Sequence, residues 1–172
     1  MEPIVLYPHN PEWLLKFDNE KEALQIKLAG SVLKIQHVGS TAVAGLMAKP
    51  IIDIAIESYI YPPTINIQVR LAALGYECRG ESGIEGRIWF TKGRPREINL
   101  YYRPIGSDIV KKQISFRECL KQNAAIRAEY EILKLNNCQG RDFDDAAYAE
   151  SKSQLIETAL SVYKGITINT QC

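Results

Sequence analysis

A chain of 172 residues with 46% apolar and 24% charged side chains has the composition of a folded domain, which excludes a disordered, collagen-like or disulfide-stapled chain. Twenty-one basic against twenty acidic side chains leave a net charge of +1, so no global field draws it to nucleic acid or an anionic membrane, and neither is expected as a partner. Four cysteines without a Cys-x-x-Cys pair, and only His9 and His37 as histidines, exclude a zinc knuckle and a histidine-rich metal cage.

The first residues lack a basic segment followed by a long apolar run, which predicts a soluble, cytoplasmic protein. Residues 4–7 form a short strand or extended lead-in by pattern. Asn10-Pro11 pairs a capping side chain with proline at a first helical position, so a helix starts there. Its stripe of Trp13, Phe17, Leu24 and Leu28 predicts a core-facing helix that ends at Gly30. The β-rich run 32–38 predicts a strand leading into Gly39-Ser40-Thr41, and the small residues of 42–48 predict a short helix broken by Lys49-Pro50.

Ile51-Ile52-Asp53-Ile54-Ala55-Ile56 is a continuous apolar run of the kind buried on both faces of a sheet, interrupted by one acid. Pro62-Pro63-Thr64 opens a helix carried by Ile67, Leu71 and Leu74 and closed at Gly75. Strands are expected at 76–79, 87–91 and 97–102, with a glycine-rich loop over 80–86 and a hairpin through Lys92-Gly93-Arg94-Pro95. From Ser107-Asp108, an expected N-cap, residues 109–164 are helix-forming, with one break at Gly140 and the acids Asp142, Asp144 and Asp145.

The informative unit is His37-Val38-Gly39-Ser40-Thr41 followed by Lys49-Pro50-Ile51-Ile52-Asp53-Ile54. A strand that delivers a Gly-Ser turn into a helix start exposes backbone N–H groups and a hydroxyl, which suits a phosphate. A carboxylate on the next strand can hold a divalent cation that neutralises such phosphates. Asp53, a lone acid in an apolar strand, therefore points to a site in preference to a structural ion pair. His37 has two readings, a side chain fixing the turn or a ligand contact, and the first is the commoner role at a strand end.

These residues resemble the signature of polymerase-beta-like nucleotidyltransferases, in which Gly-Ser is followed, after a spacer, by an acid between hydrophobic residues. More closely, the chain resembles the GrpB family. The resemblance rests on Asn10-Pro11-Glu12-Trp13, on the runs 37–43 and 48–54, on Phe116-Arg117 and on Tyr148-x-x-x-Lys152. It implies an α/β (α+β) fold, a nucleotidyltransferase-like mixed β-sheet flanked by helices. It also implies a single domain over 1–172, with an α/β core at 1–105 and C-terminal helices at 106–165 packed on it. The implied partner is a nucleotide or another phosphorylated small molecule, in a coenzyme A context because such domains also occur fused to dephospho-CoA kinase.

The resemblance further implies Mg²⁺ or Mn²⁺ held by Asp53, with Asp53, Glu97 and Lys152 as catalytic residues. His37, Gly39, Ser40, Thr41, Lys49, Arg87 and Arg117 are the implied ligand-binding residues. Catalytic members of the superfamily carry a second carboxylate two residues after the first, and here that position is Ala55. Glu57 shares the face by period-two counting, but two residues span about 6.6–6.8 Å of strand, too far for an unchanged metal site. Glu97, on the face of Asn99 and Tyr101, is the best remaining partner. Metal-dependent nucleotidyl transfer therefore stands beside a catalytically inactive binding module, or an accessory protein interacting through Leu155, Ile156, Ala159, Leu160 and Tyr163. Monomer and homodimer are both left open.

Overall fold

The computed structural model describes residues 5–32, 34–81, 87–139 and 153–161. Helix α1 spans Glu12–Lys27, and Asn10 Oδ1 accepts the Glu12 N–H at 3.0 Å, which satisfies one of the orphan amides at its start. Gly30, at φ +78°, turns the chain into the sheet, a conformation that costs glycine little. The sheet has five strands: β1 Lys34–Val38, β2 Ile52–Ser58, β3 Glu77–Gly80, β4 Ile88–Lys92 and β5 Ile98–Pro104. Their order is β1-β2-β5-β4-β3; β2 runs antiparallel to β1 and parallel to β5, so the sheet is mixed. Helix α2, Ile65–Ala73, starts at Thr64, whose hydroxyl accepts the Ile67 N–H.

Strand alternation divides the sheet into two unlike faces. Register pairs Ile35 with Ile56, Phe90 with Leu100 and Ile52 with Ile98, all pointing to one side, where Trp13, Phe17 and Leu24 of α1 and Ile67 and Leu71 of α2 close a dry core. The opposite face carries Val38 and Ala55, packed under Val110 of α3 (Asp108–Gln122), and a polar row in which Asp53 stands in register with Asn99 and Trp89 with Tyr101. Beyond that row, Val43 and Leu46 join Cys119, Leu120 and Tyr130 in a second cluster, which ties the segment after β1 to α3 and to α4, Ala124–Gln139. Ala159, from a further helix α5 over 153–161, is buried in the same cluster.

Three local expectations change. No helix forms over 42–48: a single 3₁₀ turn at Ser40–Ala42 gives way to extended Val43 (φ −114°, ψ 112°), because Val43 and Leu46 are drawn into the α3–α4 cluster. The lead-in reduces to an isolated bridge between Tyr7 and Ala48. The C-terminal helices break at Asn123, whose Oδ1 accepts the Ile126 N–H at 3.1 Å and so caps α4. The expected break at Gly140 and the acids Asp142 to Asp145 lie outside the described residues. No helix among the described residues is long and apolar enough to cross a membrane.

Candidate functional site

Asp53 sits at the centre of the polar face. Its Oδ1 accepts from Asn99 Nδ2 at 2.9 Å and from the Tyr101 hydroxyl at 3.1 Å. Trp89 Nε1 donates to Asn99 Oδ1 at 3.2 Å. Indole is donor-only and carboxylate acceptor-only, so Asn99 has one workable amide orientation, with nitrogen toward Asp53 and oxygen toward Trp89. Burial, and then the Asp53 charge beside it, push the Tyr101 phenol well above its ordinary range, which keeps it protonated as a donor.

Gly39 brings the turn against this carboxylate. Its φ is +75°, and a Cβ there would lie 2.4 Å from Asp53 Oδ2, so both backbone conformation and space require glycine. The three-residue 3₁₀ turn that follows is too short for a macrodipole, and what it offers an anion is local N–H groups and the Ser40 hydroxyl.

Next to Gly39 and Ser40 lies a cavity of about 170 Å³, walled by Gln113, Phe116 and Arg117 of α3 and by Tyr130 of α4. Arg117 is held in place: its Nη1 donates to the His37 carbonyl at 2.7 Å and to Gln36 Oε1 at 3.3 Å, and its Nε pairs with Glu118 at 2.6 Å. Tyr130 is buried with its ring edge-on to Phe116, and burial raises its phenol, the Ser40 hydroxyl acting against that shift and the Asp53 charge adding to it. On the other side of Asp53, the Arg87 guanidinium lies 5.5 Å from the Trp89 ring centroid and 5.8 Å from that of Tyr101, and Arg96 stacks on Trp89 at 5.5 Å.

The structure thus brings together Gly39, Ser40, Asp53, Arg87 and Arg117 from the expected set. Among the described residues, the other expected ones stand elsewhere. His37 points to the α1 face, where its ring stacks on Phe17 at 4.6 Å and its Nε2 bonds the Thr41 hydroxyl at 3.0 Å. Thr41 is buried and donates to the Ile51 carbonyl at 3.3 Å, which makes it a pin between turn and strand. Glu97 precedes β5 and pairs with Lys16 of α1, and Lys49 is exposed. Glu57 is buried and accepts the N–H groups of Gly106 and Ser107 at 3.0 and 3.1 Å, which seats the start of α3. Lys152 and Tyr148 lie outside the described residues.

Sequence reasoning did not assign Asn99, Tyr101 or Tyr130 to the site. Period-two counting from Glu97 carried the signal for the first two, whereas Tyr130 depends on the helix break at Asn123.

A divalent cation of the Mg²⁺ or Mn²⁺ type needs several hard oxygen ligands. Among the described residues no group of three or more His, Cys, Asp or Glu side chains is placed to hold a metal. With Ala55 two residues on, Glu57 seating α3 and Glu97 on Lys16, these residues do not fit a two-metal centre.

The model of the GrpB protein family matches residues 3–161. UPF0157 protein YqkA of Bacillus subtilis (strain 168) is 33% identical over 159 residues, which is 91% of this chain and 45% of the Bacillus protein, so the chain spans less than half of that relative's length. Glutamate-rich protein GrpB of Alkalihalophilus pseudofirmus is 34% identical over 165 residues, covering 92% of this chain and 94% of that protein. The crystal structure of the conserved protein GrpB from Enterococcus faecalis superposes with a TM-score of 0.82 at 29% identity, over 92% of this chain and 99% of that one. On the family match across the α+β domain, the chain belongs to the GrpB family.

Proposed function

We propose that the chain binds a phosphorylated small molecule, with a phosphoryl group seated between the Gly39-Ser40 turn and Arg117. The observation that carries this is the cavity itself, which is lined both by the Gly-Ser turn and by an arginine already oriented by a backbone carbonyl. A guanidinium fixed before the ligand arrives loses less conformational entropy on binding than a free one, and Nη2, which is not among the atoms that fix it, supplies the donors to a phosphate oxygen. At about 170 Å³ the cavity is below the ~300 Å³ of a site enclosing a whole drug-sized ligand, so it accepts the phosphoryl end of a nucleotide or sugar phosphate and leaves the body outside. Asp53, locked by Asn99 and Tyr101 behind Gly39, shapes the turn from behind.

Metal-dependent nucleotidyl transfer is the second reading, favoured by one observation, the packing of the Asp53 carboxylate against the Gly-Ser turn. The donor set described above supports binding better than transfer.

The test is a melting-shift panel of nucleotides, coenzyme A precursors and sugar phosphates, with and without Mg²⁺ or Mn²⁺. A ligand at a hundred times its dissociation constant adds about 2.7 kcal/mol of stability. The expected result is metal-independent stabilisation that survives Asp53→Asn and falls in Gln113→Ala. Stabilisation that requires metal and disappears in Asp53→Asn would establish the second reading, and a flat panel would overturn both.

A further inference from the structure

At the β1 edge of the sheet, between α1 and α3, lies a second concavity of about 270 Å³, walled by Phe17 and Lys21 of α1, Gln36 and His37 of β1, and Arg117 and Lys121 of α3. It opens beside another groove where Leu14, Ala42 and Lys121 recur and Arg127 joins them. The cations Lys21, Arg117, Lys121 and Arg127 stand against two acids, Asp18 in the wall and Glu118, which pairs with Arg117 and Lys121. The floor is aromatic: Phe17 is buried under the His37 ring, and the Lys21 ammonium lies 6.0 Å from the Phe17 centroid. Gln36 Oε1 already accepts from Arg117, which leaves its amide nitrogen to supply donors to the same wall.

We infer that this groove is a second anion site, for a compact oxyanion of the phosphate-monoester type held by Lys21 and Lys121, with Arg117 forming the wall it shares with the first cavity. The cationic excess attracts the charge, the Gln36 amide supplies a donor, and the Phe17 and Leu14 side accommodates the apolar part of the ligand. Lys21 and Lys121 do not line the first cavity, so the two sites are separable by mutation.

His37 makes the site observable. It is 6% exposed, and its Nδ1 is buried with no hydrogen-bond partner among the described residues. Nε2 faces the Thr41 hydroxyl, which itself donates to the Ile51 carbonyl, so Nε2 carries the proton in the neutral ring. Burial, and then Arg117 and Lys121, lower the His37 pKa to about 4. Asp18, Glu118 and Lys21 are the other charges around the groove. An oxyanion between these cations offsets their effect on the ring.

The test follows the Cε1–H resonances of the two histidines by NMR while inorganic phosphate is added at constant ionic strength, with His9→Gln used for assignment. The His37 signal is expected to move along a saturable curve and its titration midpoint to rise, with His9 unaffected. Lys21→Ala combined with Lys121→Ala is expected to raise the half-saturating phosphate concentration at least tenfold, and Gln113→Ala to leave it within twofold. Because Lys121 is exposed and Lys21 half-buried, the double variant keeps the fold. A movement reproduced by chloride, or one that survives the double lysine variant, overturns the site. A curve lost in Gln113→Ala but retained in the double lysine variant assigns the phosphate to the other cavity and also overturns it.

Discussion

The two faces of the sheet are built from the same strands, residue by alternate residue, and they do opposite work. Under α1 and α2, Ile52, Ile54, Ile56, Phe90 and Leu100 are almost wholly removed from water, and burying each such side chain contributes about 1.5–3 kcal/mol. One residue further along each strand, Asp53, Asn99, Tyr101 and Trp89 exchange hydrogen bonds in a row whose net worth is small and whose geometry is fixed. The apolar face holds the fold, and that rigidity lets the polar face keep a carboxylate, two arginines and a glycine turn in set positions. His37 crosses this division, since it comes from the Gly-Ser motif yet packs on the apolar side.

Phe90→Ala tests the division most severely. It removes a fully buried ring from the apolar face and is expected to cost about 3–5 kcal/mol in urea unfolding, while the surviving folded fraction retains the phosphate-dependent melting shift. A variant that kept its stability would show that the face is not the core.

The next effect is acid sensitivity. The His37 pKa falls from 6.5 to about 4 on folding, so between those values the unfolded chain binds more protons and stability rises with pH. Its contribution is fully present above pH 6.5 and is lost progressively as pH falls toward 4, amounting to about 3 kcal/mol at most. Unfolding free energies measured across that window, in the chain and in His37→Gln, are expected to show a slope that the substitution flattens.

The smallest change is Tyr101→Phe on the polar face. It deletes one donor to Asp53 while Asn99 remains, so the expected cost is about 1–2 kcal/mol by urea unfolding, with ligand-induced stabilisation retained as in Asp53→Asn. A cost as large as that of Phe90→Ala would mean that the polar row also holds the fold.

Much of this was legible in local pattern. The alternation in 97–102 and the continuous apolar run around Asp53 identified strands with the right faces, because side-chain direction in a strand follows from period two alone. The Gly39-Ser40 turn and Asp53 were legible as a pair for the same reason. The small residues of 42–48 misled, since their helical propensity is weak and Val43 and Leu46 gain more by packing on α3 and α4.

The amino-acid sequence by itself determined the strand faces, the helical stripes and the family to which the chain belongs. Which carboxylate meets which partner was decided only by tertiary structure. Glu97 and Glu57 both lie within two residues of the right strand face, yet one is taken by Lys16 from α1 and the other by the amides at the start of α3. Arg117 reaches the turn because α3 docks it on the His37 carbonyl, and Tyr130 only because the break at Asn123 folds α4 back on α3. Local sequence sets period and conformation, whereas the meeting of groups many residues apart is set by register and packing, which no local pattern encodes.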